Sequence, residues 1–169
     1  MSGMNGMERD EQESLTRLMA QAVLKSVEHV RSGGLPFVGI VVDGEGRVSA
    51  PGTNMVARSG DPTAHAEIVA LRSHLDATGQ RDLTGATLLA TGEPCSLCYR
   101  YAEELGVTQV IYAVSSDEAA AWGFDYRDPR QPARALRTTA KRLPVPRAME
   151  PFRLFHELHQ PTSTSQEQP

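Results

Sequence analysis

Two short motifs about 30 residues apart carry side chains of the types that bind a transition metal. They read His65-Ala66-Glu67 and Pro94-Cys95-Ser96-Leu97-Cys98. Thiolates and a neutral imidazole are ligands that Zn²⁺ prefers, so His65, Cys95 and Cys98 form a candidate set of three. Glu67 remains as a carboxylate beside that set.

The number of ligands favours a catalytic metal site over a structural one. Structural zinc sites close with four protein ligands, whereas catalytic sites use three and leave the fourth position to water. The chain holds only two cysteines, so a site with three or four of them is impossible. Zinc lowers the pKa of bound water to about 7, and a nearby carboxylate can move its proton to a leaving amine. We therefore expect an open Zn²⁺ site with one ion per chain and Glu67 as its catalytic residue.

Other interpretations of these motifs stay open. A Cys-x-x-Cys pair also occurs in thioredoxin-like redox proteins, although no aromatic residue precedes Cys95 and the His-x-Glu motif would then be idle. A disulfide is disfavoured because nothing suggests export. A non-catalytic zinc module is a further alternative, but such a module would not need Glu67.

The composition of the 169-residue chain is that of one globular domain. Hydrophobic residues make up 40% and charged residues 22%, while the net charge of −4 and pI of about 5.7 give no global argument for nucleic-acid binding. Residues 1–12 lack the apolar stretch of a signal peptide, and no apolar run is long enough for a membrane span. We expect a cytoplasmic protein with a flexible N-terminus over 1–12, one domain over 13–160 and a disordered polar tail over 161–169.

Hydrophobic periodicity predicts the elements that would position the motifs. They are helices at 14–32, 61–75, 94–106 and 117–122, and strands at 37–42, 47–53, 87–91 and 109–114. A hairpin followed by crossover helices predicts an α/β fold, with a mixed central sheet and helices on both faces. The N-termini of the second and third helices would then meet at one metal ion, at the C-terminal end of a strand.

The motifs resemble those of the cytidine deaminase-like zinc deaminases, and within them the guanine deaminase branch. The similarity covers about residues 14–156. Its strongest pieces are Asp61-Pro62-Thr63-Ala64-His65-Ala66-Glu67, Glu93-Pro94-Cys95-Ser96-Leu97-Cys98, Gly123-Phe124-Asp125 and Pro151-Phe152-x-x-Phe155. The resemblance implies a three-layer α-β-α sandwich and a zinc-dependent hydrolytic deaminase.

The resemblance also implies a reaction. Zinc-bound hydroxide would attack the amino-bearing carbon of a free nucleobase, with Glu67 as the proton shuttle and guanine, converted to xanthine and ammonia, as the best guess. Cytosine, cytidine or another amino-heterocycle such as a triazine or pterin is an alternative, and tRNA adenosine is another. The implied partner besides the small substrate is a second copy of the chain, with or without exchange of the C-terminal segment, where Phe152 and Phe155 would offer an apolar surface.

By position, the resemblance implies six substrate-binding residues. They are Asn54, Phe37, Ala66, Asp125, Trp122 and Phe155. Asn54 would hydrogen-bond the base, Phe37 would pack on its ring, and Asp125 would contact the amino group or assist proton transfer. Their structural alternatives are a turn residue, a core residue and a partner for a nearby arginine. Trp122 is the candidate to replace a family aromatic that this chain lacks.

Two further features bear on the substrate. Val38 and the pair Arg100-Tyr101 stand where relatives carry small residues. A basic stretch runs from Arg127 to Arg147, within which four residues follow one helical stripe, namely Arg130, Arg134, Arg137 and Lys141. Such a stripe favours a solvated helix face, with binding of tRNA phosphates as the alternative.

Overall fold

A computed structural model describes residues 4–128 and 138–160 of the chain. Its elements in chain order are α1 (Met4–Arg31), β1 (Val38–Val42), β2 (Gly52–Thr53), α2 (Val56–Ser59), α3 (Ala66–Thr78), β3 (Thr87–Gly92), α4 (Ser96–Glu104), β4 (Gln109–Val114), α5 (Ser116–Ala121), β5 (Thr139–Arg142) and α6 (Glu150–His159). Among the described residues, no helix is long and apolar enough to cross a membrane.

The five strands form one mixed sheet in the order β2-β1-β3-β4-β5. β1 pairs antiparallel with β2 and with β3, whereas β3, β4 and β5 run parallel to one another. The antiparallel part follows from the hairpin and the parallel part from the helical crossovers. The prediction of a mixed sheet is therefore confirmed.

Apolar residues cover both faces of this sheet and form two separate cores. Along β3, Leu89 faces a core shared with α1, α5 and α6, while its neighbour Leu88 faces a core shared with α3 and α4. Adjacent residues of a strand point to opposite faces, so this alternation produces three layers. The predicted α-β-α sandwich is confirmed.

Several element boundaries differ from those predicted. α1 begins at Met4 instead of residue 14, because the preceding residues are mostly straight-chain ones with high helix propensity. Residues 4–12, expected to be flexible, therefore lie in α1, whereas 161–169 lie outside the described ranges. β2 holds only two residues, and the strand predicted over 47–53 otherwise contributes only a bridge between Val42 and Val48.

The C-terminal part contains two elements, β5 and α6, that were not predicted from the sequence. β5 forms the edge strand and includes Lys141, so the predicted helical stripe of basic residues is wrong at that position; its other three members lie outside the described residues. α6 packs on α1, and Phe152 is fully buried in the first core. Phe152 therefore does not contribute to an exposed apolar surface, contrary to expectation.

Candidate active site

The three predicted metal ligands converge at one point. Nδ1 of His65 lies 3.4 Å from the Sγ atoms of both Cys95 and Cys98, and the two sulfurs are 3.6 Å apart. The two cysteines are free, since this separation is far longer than a disulfide bond. Within the described part of the chain, these residues form a group that could hold a metal ion.

This triangle fits a tetrahedral zinc ion. Bonds of about 2.3 Å to sulfur and about 2.0 Å to nitrogen place two sulfurs roughly 3.8 Å apart, and a sulfur and a nitrogen roughly 3.5 Å apart. The separations in the structure agree with these values to within about 0.2 Å. Three ligands also leave the fourth tetrahedral position available to water or substrate.

Two helix N-termini bring these ligands together. His65 is the N-cap residue of α3, and Cys95 is the N-cap residue of α4, with Cys98 in the first turn. Both helices begin later than predicted. Asp61 and Pro62 belong instead to a turn, because the Asp61 carboxylate accepts hydrogen bonds from the N–H and hydroxyl of Thr63. The positive ends of the helix dipoles favour thiolates at this position.

Two glycines allow α3 to lie directly on the sheet. A Cβ atom on Gly39 would lie 2.9 Å from the Cα of Glu67, and one on Gly52 would lie 2.5 Å from the backbone nitrogen of Ala70. Such contacts are too short for real side chains, so only glycine permits this packing. The first turn of α3, which carries Glu67, is thereby fixed against β1 and β2.

The ligand side chains share a hydrogen-bonded proton network. The sulfurs of Cys95 and Cys98 are hydrogen-bonded to each other, and this contact lowers the pKa of Cys95 to about 4 while raising the pKa of Cys98. The hydrogen bond to Cys95 also raises the pKa of His65 against the opposing effect of burial. Zinc binds thiolates and neutral imidazole, so its binding must displace the protons of this network.

Glu67 lies beside the ligands but is not needed as one of them. Its Oε2 atom is 3.4 Å from the sulfur of Cys98, and the residue is only 5% exposed. Burial disfavours the charged carboxylate and raises the pKa of Glu67 to about 7. A carboxyl group in this state can both accept and release a proton near neutral pH.

A cavity of about 200 Å³ opens onto His65, Cys95 and Glu67. Its lining includes Phe37, Asn54 and Ala66, which the resemblance had implied as substrate-binding residues. Phe37 also packs edge-on against Phe124 and Phe152 of the first core, so it is both a core residue and a cavity wall.

Three lining residues were not predicted, namely Leu35, Glu93 and Tyr126. The Tyr126 hydroxyl donates to the backbone carbonyl of Glu93, and its ring centroid lies 5.9 Å from that of Phe37. Glu93 belongs to the same motif as the cysteines, which could have indicated it. Tyr126 follows Gly123-Phe124-Asp125 in an irregular segment, where periodicity gives no signal.

The other three implied residues lie outside the described cavity lining. The Asp125 side chain is 57% exposed and pairs with Arg127, which corresponds to the structural alternative considered for it. Trp122 contacts the ring of His156, and Phe155 stacks on His159. Their roles in substrate binding stay predictions.

Comparison with known proteins places this site in a family. Residues 12–114 match the cytidine and deoxycytidylate deaminase zinc-binding region, which is more than half of the chain. The chain therefore belongs to this family of zinc deaminases, as its motifs had indicated. It is a zinc-dependent hydrolytic deaminase with the cytidine deaminase-like fold.

Individual relatives of this chain include two guanine deaminases and a tRNA-specific adenosine deaminase. The guanine deaminase of Bacillus subtilis (strain 168) is 32% identical over 142 residues, which cover 81% of this chain and 90% of that enzyme. The solved structure of a guanine deaminase from Nitrosomonas europaea superposes with a TM-score of 0.72 and 25% identity over 82% of each chain. The tRNA-specific adenosine deaminase of Agrobacterium fabrum is 34% identical over 84 residues, covering 50% of this chain and 55% of that protein.

Proposed function

We propose that this deaminase acts on a free nucleobase, with guanine as the substrate and xanthine and ammonia as the products. The observation that carries the proposal is one small cavity that brings together a metal-ligand set, a buried carboxyl group and an asparagine side chain. Similarity to the Bacillus subtilis guanine deaminase over most of both chains supports guanine as the base.

The metal would be held by His65, Cys95 and Cys98. When bound, zinc supplies Lewis acidity that lowers the pKa of a coordinated water to about 7. In the overall reaction, the water oxygen bonds to the amino-bearing carbon, the carbon–nitrogen bond breaks and the nitrogen leaves as ammonia. Glu67 carries the proton, which its carboxylate takes from water and delivers to the leaving nitrogen.

Asn54 and the aromatic walls would orient the base. Oδ1 of Asn54 accepts a hydrogen bond from the Val56 N–H at 3.2 Å, which leaves the side-chain NH₂ group to donate to a carbonyl or ring nitrogen. Phe37 and Tyr126 supply flat apolar surfaces for a heteroaromatic ring. The cavity is smaller than the roughly 300–1,000 Å³ of sites for drug-sized ligands, which favours a free base over a nucleoside.

A second candidate is tRNA adenosine, because part of the chain is similar to a tRNA-specific adenosine deaminase. The net charge of −4 disfavours it, since such a substrate is bound largely through its phosphates. Other amino-heterocycles differ from guanine in the size of the ring system and in the hydrogen bonds that they offer to the same cavity.

Ammonia release by the zinc-loaded protein tests the proposal. The substrates are guanine, guanosine, adenine, cytosine, cytidine, ammeline and a pterin, with Glu67→Ala as the blank. We expect turnover of guanine and at least tenfold slower turnover of guanosine. Turnover of a different base alone would replace guanine as the substrate. No turnover of any compound by the zinc-loaded protein would contradict the free-base proposal and favour tRNA.

A further inference from the structure

A cluster of four side chains connects the loop before His65 with both ligand-bearing helices. We call it the Arg72 cluster; it consists of Asp61, Thr63, Arg72 and Tyr101. The Arg72 guanidinium donates to the Asp61 carboxylate at 2.8 Å, to the Thr63 hydroxyl at 3.1 Å and to the Tyr101 hydroxyl at 3.3 Å. Its central carbon also lies 5.4 Å from the centroid of the Tyr101 ring.

The members of the cluster come from three parts of the site. Asp61 and Thr63 lie in the loop that ends at His65, whereas Arg72 lies on α3 and Tyr101 lies on α4. Tyr101 follows Cys98 by one helical turn, so it belongs to the same short helix as that ligand. One guanidinium group thus joins the His65 loop to the helix that carries Cys98.

The loop itself is folded tightly around the backbone of Pro62. The Asp61 carbonyl accepts from the Ala64 N–H at 3.1 Å, and the Thr63 carbonyl accepts from the His65 N–H at 2.8 Å. These two bonds set the direction in which the chain enters α3 at His65. From that position the His65 ring directs Nδ1 at the two ligand sulfurs.

We propose that Arg72 is a positioning residue for the metal ligand His65. Arg72 holds Asp61 and Thr63, the residues on either side of Pro62, and thereby fixes the backbone that presents the imidazole. Changes to residues that orient a metal ligand from outside the metal shell typically weaken metal binding 10–100-fold. The contact with Tyr101 keeps this loop in register with Cys95 and Cys98.

The exposure of the cluster distinguishes the positioning of His65 from a general contribution to the stability of the fold. The side chains of Arg72 and Asp61 are each 40% exposed, and an ion pair at that exposure contributes little to the free energy of unfolding. Removal of the guanidinium should therefore act on the geometry of His65 more than on the stability of the fold. This inference rests on the proposed ligand role of His65 and not on the identity of the base.

Zinc affinity measured by competition with a chromogenic chelator tests the inference. We expect Arg72→Gln to weaken Zn²⁺ binding by about 10-fold or more. Arg72→Lys should recover part of the affinity, because it keeps the charge near Asp61 without the planar fork. Tyr101→Phe should cause a smaller loss, since the ring remains. Arg142→Gln is the matched control, because Arg142 pairs with Glu118 at similar exposure outside the cluster.

The melting temperature of the metal-free protein provides the second readout. Positioning predicts that Arg72→Gln and Arg142→Gln melt within a few degrees of the wild type while only the former loses zinc affinity. Unchanged zinc affinity in Arg72→Gln would overturn the inference, and so would a large drop in its metal-free melting temperature. His65→Ala tests the ligand role of His65 separately from the positioning role of Arg72. Normal zinc binding by this variant would contradict the ligand role as well.

Discussion

Glu67 shows how the environment of one residue determines its chemistry. The carboxyl group is buried beside the ligand sulfurs, and burial holds its pKa near the pH at which proton transfer in both directions is efficient. His65, Cys95 and Cys98 already supply the three protein ligands that an open zinc site requires. Glu67 is therefore available as the proton carrier.

Replacement of Glu67 by glutamine tests this role. The amide has nearly the same size and tolerates burial, but it cannot accept a proton at neutral pH. We expect Glu67→Gln to keep one zinc ion per chain and to lose at least about 100-fold in kcat. Steady-state ammonia release and metal analysis of the same preparation would check both parts. Wild-type turnover in this variant would contradict the proposed role.

Tyr126 illustrates a residue whose place in the site depends on the fold alone. It lies 28 residues after Cys98 in an irregular segment, yet its hydroxyl reaches the carbonyl of Glu93 beside the metal ligands. The contact also fixes the ring next to Phe37. This chain therefore supplies an aromatic wall from a position other than Trp122, the residue that the sequence had suggested.

At the scale of elements, a buried carboxylate connects the β1 hairpin to α3. Asp43 accepts hydrogen bonds from the N–H groups of Glu45 and Arg47, from the Arg47 guanidinium at 2.8 Å and from the His74 ring at 2.9 Å. Burial opposes its ionisation, but these hydrogen bonds outweigh it and hold the pKa of Asp43 well below the usual range. The network joins the hairpin to the helix that positions Glu67.

The depressed pKa of Asp43 predicts a specific dependence of stability on pH. A carboxyl group with a lower pKa in the folded state stabilises the protein above its unfolded-state pKa of about 3.9, and this contribution declines as the pH falls further. We expect Asp43→Asn to reduce the free energy of unfolding by about 3 kcal/mol at pH 7, because it removes the buried negative charge that Arg47 and His74 contact.

Denaturant unfolding of wild type and Asp43→Asn between pH 7 and pH 3 would measure this effect. The difference between the two proteins should be constant from pH 7 to about pH 5 and should shrink below about pH 4. Asp117→Asn is a suitable control, because that side chain is 81% exposed. A difference that stays constant down to pH 3 would falsify the assignment.

At the scale of the whole molecule, α1 and α6 pack together on one face of the sheet and carry exposed leucines. Leu24 on α1 is 51% exposed and Leu158 on α6 is 56% exposed. Burial of such side chains between two copies would gain about 25 cal/mol for each Å² of apolar surface removed from water. We propose on this basis, and on the family resemblance, that the chain forms a homodimer.

Light scattering after size-exclusion chromatography tests the dimer. We expect a mass of twice the 18.4 kDa of one chain. Leu158→Asp should shift the population toward the monomer, whereas Val48→Asp, which changes an apolar residue of similar exposure on the hairpin, should not. A single species with the mass of one chain at micromolar concentration would argue against the dimer.

The sequence by itself determined the chemistry of the centre and the layers around it. Cys95 and Cys98 lie about one helical turn apart by local spacing, and the alternation of strand residues such as Leu88 and Leu89 requires helices on both faces of the sheet. These features depend on residue type and short-range periodicity, which any local stretch of chain expresses.

Only the tertiary structure decided which distant residues complete the site. His65 approaches the cysteines across 30 residues because Gly39 and Gly52 let α3 lie against the sheet. Tyr126 enters the cavity, and Arg72 meets Tyr101, through contacts between separate elements. β5 is likewise stabilised by its pairing with β4 more than by its own pattern of residues. Such contacts depend on how the elements are arranged in space, and local spacing along the chain does not encode that arrangement.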